Sequence, residues 1–363
     1  MAVKHCIRPM AAGIGALVAL ALLISGASEA LASCGSASCF LVTGTEAGVQ
    51  PKGKLSVDLR YSYAAAGLAD GVSGNVAAVE VEGAEGRRVI LNEHKEQRTI
   101  SQFYVLDASY GLTDRVTLDV VIPYRKQKHT HVIGQGEAPD GLGSFESFTD
   151  NGLGDVRVMG RYSILPTLRN LVVLGLGVDL PTGDSHARNS KGRLQEPTLQ
   201  LGRRALGIVA SVYQSYEMIP HLLNQFASVS YRHSVRGPNS YRYGDEYILS
   251  GGMSVKTLKI VTLTGQFNWR YVVHDEFTGT LARAQDPTDV TFPDEPIVID
   301  KVVKRRPVPN TGSTMLALSP GISVAVTERA TFYFHAQVPI ARDFNGGVQQ
   351  QTGFLFGVST TLN

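Results

Sequence analysis

TMLALSPGISVAVTERATFYFHAQVPIAR, residues Thr314 to Arg342, is the stretch that decides the fold class of this chain. Apolar side chains recur at alternate positions on both sides of the polar break Thr327–Ala330. A period of two predicts β-strands, and so short a break predicts an antiparallel hairpin with one apolar and one polar face. The apolar positions are Leu316, Leu318, Ile322, Val324, Val326, Phe332, Phe334, Ala336, Val338 and Ile340.

Two folds can use such a hairpin. In a soluble sandwich the apolar face meets a second sheet, whereas in an outer-membrane barrel it meets lipid and the polar face lines the interior. The last segment, Gly353 to Asn363, favours the barrel, because it places Phe354 and Phe356 on one face and runs almost to the end of the chain. Leu362 takes the register in which barrel-forming chains usually carry a terminal aromatic residue.

The composition agrees with a barrel. Of the 363 residues only 18% are charged, 38 are Gly, and the formal net charge is +2. Beyond residue 32 the sequence has no apolar run of the about 20 residues that a membrane-spanning helix needs. We therefore predict an all-β fold, a transmembrane antiparallel β-barrel of about 12 strands formed by residues 54–363.

Residues 1–32 have the pattern of a cleaved signal peptide. Lys4 and Arg8 give a positive start, Met10 to Ile24 is the apolar segment, and Ala30-Leu31-Ala32 is a cleavage site of the A-x-A type. A signal anchor and a lipidated Cys34 after a lipobox are the alternatives. We favour ordinary cleavage, because a polar segment separates the apolar run from the cysteine.

Cleavage leaves residues 33–53 as a periplasmic N-terminal segment with two cysteines, Cys34 and Cys39. In an oxidising compartment two cysteines this close predict a small disulfide loop. A redox or metal-binding pair is the alternative, although the mature chain has no further cysteine to complete a thiolate site.

Strands and connections alternate along the mature chain. Long polar segments predict surface loops before Arg98, from Lys126 to Asn151, from Asp184 to about Gln200 and from Asp275 to Thr311, the last of them mobile. Short joins predict periplasmic turns. Three strands follow Thr311. The nine earlier strands are predicted at 54–63, 100–110, 116–124, 152–162, 171–183, 205–216, 223–234, 247–255 and 260–272.

Several motifs, in order along the chain, resemble a known family. The chain is similar to outer-membrane channels found beside pathways of aromatic (phenol meta-cleavage) degradation. The resemblance implies a bacterial outer-membrane location, a barrel fold and passage of a small solute, with a hydrophobic or aromatic solute as one option. The motifs are Tyr110-Gly-Leu-Thr-Asp-Arg115, Ile122-Pro-Tyr124, Gly152-Leu-Gly-Asp155, Leu180-Pro-Thr-Gly-Asp184, Leu318-Ser-Pro-Gly321 and Gln337-Val-Pro-Ile340 with Asn345-Gly346.

Charged and polar residues alternate with the apolar ones and should face a wet interior, because charges are costly against lipid. They predict either a polar route for a solute or a lumen in which they pair with one another and plug the barrel. The two readings differ in conductance. The candidate lining residues are Asp58, Arg60, Asp107, Asp119, Asp155, Arg157, Arg161, Arg232, Gln266, Asn268, Arg270, His335 and Gln337.

A second candidate site combines Glu93 and His94 with His129 and His131. Adjacent hairpins bring these segments to the same rim, where two or three imidazoles and a carboxylate suit Zn(II), Cu(II) or Ni(II). The alternative is that they are solvated loop histidines. A barrel that serves only to anchor such a metal- or partner-binding surface is therefore the second functional hypothesis.

Catalysis is the least favoured hypothesis, and we predict that the protein is not an enzyme. Ser323 and His335 lie on neighbouring predicted strands, yet nothing nearby marks an orienting acid or an oxyanion hole. The sequence carries no phosphate-binding loop and no basic cluster of the kind nucleic acid requires. We predict a passive channel whose partners are outer-membrane lipid and a small-molecule solute, without a cofactor, and the sequence leaves its oligomeric state open.

Overall fold

The structure is a computed structural model, and it describes residues 38–43, 48–68, 75–76, 79–83, 86–91, 94–133, 144–167, 169–188, 195–237, 240–283, 301–308, 311–345 and 348–362. Residues 1–32, Cys34 and Glu93 lie outside these ranges, so the signal peptide stays a prediction. None of the described helices is long and apolar enough to cross a membrane.

The described residues form twenty β-strands and one short 3₁₀ helix, Pro197–Leu199. The strands are β1 (Leu55–Gly67), β2 (Asn75–Val76), β3 (Val79–Gly83), β4 (Gly86–Leu91), β5 (His94–Gly111), β6 (Val116–Ile133), β7 (Ser144–Leu153), β8 (Val156–Pro166), β9 (Asn170–Leu180), β10 (Gly207–Ile219), β11 (Leu223–Ser234), β12 (Tyr241–Arg242), β13 (Glu246–Lys256), β14 (Val261–Val272), β15 (Glu276–Arg283), β16 (Lys301–Pro307), β17 (Ser313–Ala325), β18 (Ala330–Asp343), β19 (Gln349–Gln350) and β20 (Gly353–Leu362).

Twelve of these strands close into one antiparallel barrel, as predicted. The barrel closes at β1, which pairs with β5 on one side and with the last strand, β20, on the other. Leu59 accordingly lies opposite Leu106 in β5 and opposite Val358 in β20. The barrel strands are β1, β5, β6, β8, β9, β10, β11, β13, β14, β17, β18 and β20.

The outward face of the barrel is apolar, and the inward face carries most of the polar side chains. Phe267 and Phe332 are exposed on the outside, whereas their neighbours Gln266 and Tyr333 are buried inside. Tyr247, Trp269 and Tyr271 are in ring contact near one rim, as interfacial aromatic residues of transmembrane barrels are.

The two ends of the barrel differ. Five connections of a few residues lie at the end that holds Leu55 and Leu362, and the long connections lie at the other end. In outer-membrane barrels the short turns face the periplasm, so we call these the periplasmic and the outer end.

The prediction of a loop from Lys126 to Asn151 was wrong. β6 continues to Ile133, and β7 begins at Ser144 and pairs with the outer half of β6. In this part of β6 the outward residues, such as Lys126 and Lys128, are charged, and the inward ones are polar. From Lys126 to His131 the alternation therefore has no apolar member, and the sequence pattern hides the strand.

Part of the predicted loop from Asp275 to Thr311 is also strand. β15 and β16 belong to a second sheet, together with β3, β4 and β12, at the outer end. Tyr241, Phe277 and Val308 form its small apolar core. Residues 284–300 lie outside the described part of the chain, so the predicted mobility of the loop is not addressed.

Candidate functional site

All thirteen predicted lining residues lie on the inward side of the barrel or at its outer rim. Asp58, Asp107, Gln266, Asn268 and Gln337 are fully buried there. Asp155 is the rim residue: its carboxylate accepts the backbone N–H groups of Gly183 and Arg203, so it ties two outer connections together.

Near the periplasmic end the charges are paired. Arg60 bridges two carboxylates, with Nε 3.3 Å from Asp58 Oδ1 and Nη2 3.2 Å from Asp107 Oδ2. The Tyr333 hydroxyl donates to Asp58 at 2.7 Å. Arg161 Nε lies 2.6 Å from Asp119 Oδ2. These groups satisfy one another and hold neighbouring strands together rather than offering free charge.

Two glycines make room for rings on the inward face. Gly321 pairs with His335 across β17 and β18, and Gly357 pairs with Tyr333 across β18 and β20. A Cβ atom at either glycine would overlap the facing ring. A glycine inside a strand often marks such a close approach.

Residues 38–43 of the N-terminal segment lie inside the barrel, which sequence reasoning missed. Gln266 accepts from Val42 N at 3.1 Å and donates to Val42 O at 3.3 Å, so it pairs with the segment as another strand would. Gln337 donates to Phe40 O, and Gln350 bonds both the N–H and the carbonyl of Ser38. We call residues 38–43 the luminal strap.

The strap contradicts the expectation that the segment around it lies outside the barrel in the periplasm. Ser38 meets Gln350 near the outer end of the barrel, and Gln50, in a separate described part of the same N-terminal segment, donates its N–H to Thr117 at the periplasmic end. Phe40 packs in an apolar cluster with Met315, and its carbonyl oxygen accepts from the side chain of Gln337. Such bonds allow an irregular segment to stay dry.

Cys39 is a free thiol in the structure. It lies between the carbonyl oxygens of Tyr63 and Phe354, with its Sγ 3.9 and 3.8 Å from them. Its predicted partner Cys34 lies outside the described residues, so the disulfide is not shown.

A cluster of arginines lies above the strap. Arg157 Nε and Arg232 Nη2 bind Asp179 at 2.7 and 2.5 Å. Arg270 Nε binds Glu246 at 2.6 Å. Arg203 adds a fourth guanidinium, 3.9 Å from Glu246, so these six side chains carry four positive and two negative formal charges.

Two chambers flank the strap. The outer chamber has a volume of about 390 Å³ and contains the arginine cluster. The inner chamber has a volume of about 330 Å³ and is mainly apolar, with Val105, Met159, Val173, Val209 and Ile248 in its wall. Ser38, Cys39, Phe103, Val121 and Arg157 line both chambers, so the two spaces are adjacent.

Arg125, Arg203 and Glu246 were missed as site residues. Arg125 lies in β6 between the predicted strand, which ends at Tyr124, and the predicted loop, which begins at Lys126. Its alternation with the buried residues Gln127 and His129 is the signal that could have identified it. Arg203 comes from an outer connection and carries no periodic signal.

At the outer end, Asp275 is buried and accepts from the Tyr241 hydroxyl at 2.5 Å and from Gly244 N at 2.6 Å. Burial raises the pKa of this carboxyl, and the two hydrogen bonds oppose the rise. Asp275 is therefore more easily neutralised than an exposed aspartate.

The predicted metal ligands are only partly brought together. His129 and His131 point to the same face of β6, with ring centroids 5.1 Å apart, but they lie in a strand and are buried. Glu93 lies outside the described residues, and for His94 only the backbone in β5 is described.

The structure offers a different ligand set. One donor atom each from Glu96, His129 and Glu196 lies within 4.8 Å of the other two, and all three side chains are buried. His129 Nδ1 is 2.8 Å from Thr99 Oγ1, which orients the ring with Nε2 towards Glu96 at 3.9 Å. His131 Nε2 instead lies 3.3 Å from Glu146.

The candidate catalytic pair does not form. His335 lies opposite Gly321, and Ser323 lies opposite Tyr333. Among the described residues no hydrogen bond joins the Ser323 hydroxyl to the His335 ring.

Comparison with known proteins supports the fold. An outer-membrane channel from Pseudomonas putida F1 is similar, with a TM-score of 0.54 and 11% identity over 89% of this chain and 100% of that chain. The NanC porin is less similar, with a TM-score of 0.40 and 11% identity over 84% of this chain and 100% of that chain. The P. putida toluene transporter TodX is also less similar, with a TM-score of 0.38 and 10% identity over 86% of this chain and 91% of that chain. No protein-family model matches the sequence, and no curated protein is similar to it in sequence. The fold and its polar interior define a barrel of the outer-membrane type.

Proposed function

We propose that this chain is a bacterial outer-membrane channel through which a small organic solute passes down its gradient. The main support for this proposal is the pair of adjacent chambers inside the barrel, because side chains that filled the lumen completely would leave no such spaces. In this proposal residues 1–32 are removed on export, the apolar outward face contacts lipid, and the protein is not an enzyme.

The lining suggests what the solute is like. The inner chamber presents aliphatic side chains and serine hydroxyls, such as Ser211 and Ser230, beside charged groups that pair with one another, such as Arg60 with Asp107. This lining suits a molecule with an apolar body and few polar groups. The motif resemblance to channels beside aromatic degradation pathways favours the same kind of solute.

Single-channel conductance of the purified, refolded mature chain in a planar bilayer tests the proposal. We expect stable ionic steps that change when Arg157 or Arg270 is replaced by Gln, because both side chains line the outer chamber. Arg329→Gln, in an exposed periplasmic turn, is the matched control. A folded barrel that stays silent with every solute would contradict an open channel.

Metal binding is the second candidate function, favoured by the cluster of Glu96, His129 and Glu196. A histidine with two carboxylates suits Zn(II) and other divalent transition metals. Thr99 supplies the hydrogen bond to the other ring nitrogen that metal-binding histidines usually have.

Metal content of the folded protein after incubation with Zn(II) and desalting tests this candidate. We expect about one equivalent, lost in His129→Ala and Glu96→Gln and retained in His186→Ala, whose imidazole is exposed. Equal metal content in all four proteins would count against the site.

A further inference from the structure

One guanidinium in the outer chamber has an edge without a hydrogen-bond partner among the described residues. Arg125 is only 8% exposed, and its Nη1 donates to Gln200 O at 3.2 Å. Its Nε and Nη2 have no hydrogen-bond partner among the described residues. The charge of Asp150 acts on Arg125 without forming an ion pair with it. A buried charge without an ion pair is costly, so this edge of the guanidinium is set up for an anion.

The two nitrogens of Arg125 without a hydrogen-bond partner, Nε and Nη2, have the geometry that carboxylates prefer. Nε and Nη2 form one edge of the planar guanidinium, and two parallel N–H groups on such an edge bind both oxygens of a carboxylate. The opposite side of the group is already held by Gln200 O, and the ring of Phe103 lies 5.5 Å from the guanidinium carbon. Arg125 is therefore fixed in place before a ligand arrives.

The charges around Arg125 do not favour cations. Among the described residues the outer chamber is lined by five arginines and four carboxylates. Asp179 and Glu246 are paired with arginines, Asp155 accepts two backbone N–H groups, and Asp275 accepts from Tyr241 and Gly244. The lining residues with charge are Arg125, Arg157, Arg203, Arg232, Arg270, Asp155, Asp179, Glu246 and Asp275.

Apolar side chains line the same chamber as the Nε–Nη2 edge of Arg125. Phe103, Val121, Pro123 and Leu201 line the same chamber as Arg125, and Phe103 and Val121 continue into the inner chamber. A ligand held at its charged end by Arg125 would place its remaining atoms against these side chains. A volume of about 390 Å³ is within the range of small-molecule sites.

We propose that the outer chamber is a binding site for small organic monocarboxylates with an apolar or aromatic body, and that Arg125 recognises the carboxylate. The inference rests on the proposed channel function for its meaning, since the site would select the solute that passes. The binding itself can be tested separately from passage.

Isothermal titration of the folded protein in detergent with benzoate and with benzamide tests the site. The two probes share a ring and differ in charge, so we expect benzoate to bind at least ten-fold more tightly. In Arg125→Gln we expect benzoate affinity to fall at least ten-fold and benzamide affinity to stay unchanged. Arg329→Gln is the control, because its guanidinium is exposed outside the lumen.

Folding of each variant is checked by the heat-dependent gel shift of intact barrels. Arg125→Lys provides a second variant, because lysine keeps the positive charge but lacks the two parallel N–H groups of the guanidinium. We expect a several-fold loss of benzoate affinity in this variant. Equal affinity for benzoate and benzamide in the wild type, or unchanged benzoate affinity in a folded Arg125→Gln protein, would overturn the proposal.

Conductance of the same preparations separates the two proposals. A silent barrel that binds benzoate through Arg125 would refute the channel and leave the anion site standing. A conducting barrel that does not distinguish benzoate from benzamide would leave the channel and remove the anion site. For a barrel with both properties, we expect benzoate to shorten the open events and Arg125→Gln to reduce that block.

Discussion

Release of the luminal strap should widen the channel. Three glutamines hold the strap through five hydrogen bonds: two from Gln266 to Val42, one from Gln337 to Phe40 and two from Gln350 to Ser38. Replacing the three glutamines by leucine keeps side-chain bulk and removes every one of these bonds.

The expected size of the effect follows from the bond count. A hydrogen bond contributes about 0.5–1.5 kcal/mol net, so Gln266→Leu should weaken the seating of the strap by about 1–3 kcal/mol. That corresponds to a roughly 5- to 150-fold rise in the ratio of displaced to seated strap. The triple variant loses about 2.5–7.5 kcal/mol, and the loss is larger where a strap N–H or carbonyl stays buried without a partner.

Planar-bilayer recording measures this change. We expect more frequent and larger open events in Gln266→Leu, and a dominant high-conductance state in the triple variant. Gln225→Ala is the matched control, because Gln225 donates to Gln214 and does not contact the strap. A folded triple variant with wild-type conductance would show that the strap does not limit the current, and would refute the reasoning.

Three further predictions concern stability. Tyr333→Phe removes the hydroxyl that donates to Asp58, so we expect the unfolding free energy in urea to fall by about 1.5–3 kcal/mol, and an unchanged midpoint would contradict the bond. Gly321→Ala should cost about 1–3 kcal/mol, because the new Cβ overlaps the His335 ring, and His335→Ala in the same chain should recover part of the loss. Burial raises the pKa of Asp275, so the folded protein keeps a proton that the unfolded chain loses above about pH 4, and the contribution of this group to stability should fall as pH rises through that range. The rate at which a protease cuts the outer connections, measured as a function of pH, should therefore rise with pH in the wild type. Asp275→Asn should abolish this pH dependence.

The barrel could be predicted from the sequence because lipid imposes a simple rule on every strand. Leu263, Phe267 and Tyr271 had to be apolar or aromatic on the outside, while Gln266 and Asn268 could be polar inside. Where a strand passes beyond the apolar belt, as β6 does at Lys126 and Lys128, the rule no longer applies and the sequence predicts a loop instead.

The site was predicted less completely than the fold. Alternation places Arg157 and Arg270 on the inward face, but it does not tell which carboxylate each one meets. The strap was missed because its bonds join Ser38–Thr43 to glutamines more than 200 residues away, and no local pattern records such contacts. Glu196 and Arg203 likewise come from an irregular connection, so their approach to the lumen depends on the folded barrel.

The position of the strap also constrains how the barrel can assemble. Its partners include Tyr63 in the first barrel strand and Phe354 in the last, and these two strands meet only when the cylinder closes. Residues 38–43 can therefore complete these contacts only once β1 and β20 have paired, which makes seating of the strap a late step that depends on contacts distant in sequence. A bulky domain fused ahead of Ser38 would have to pass through a lumen too narrow to admit it. A domain fused after Leu362 would lie outside the barrel at its periplasmic end. Assembly yield of the two fusions would report the order of these events.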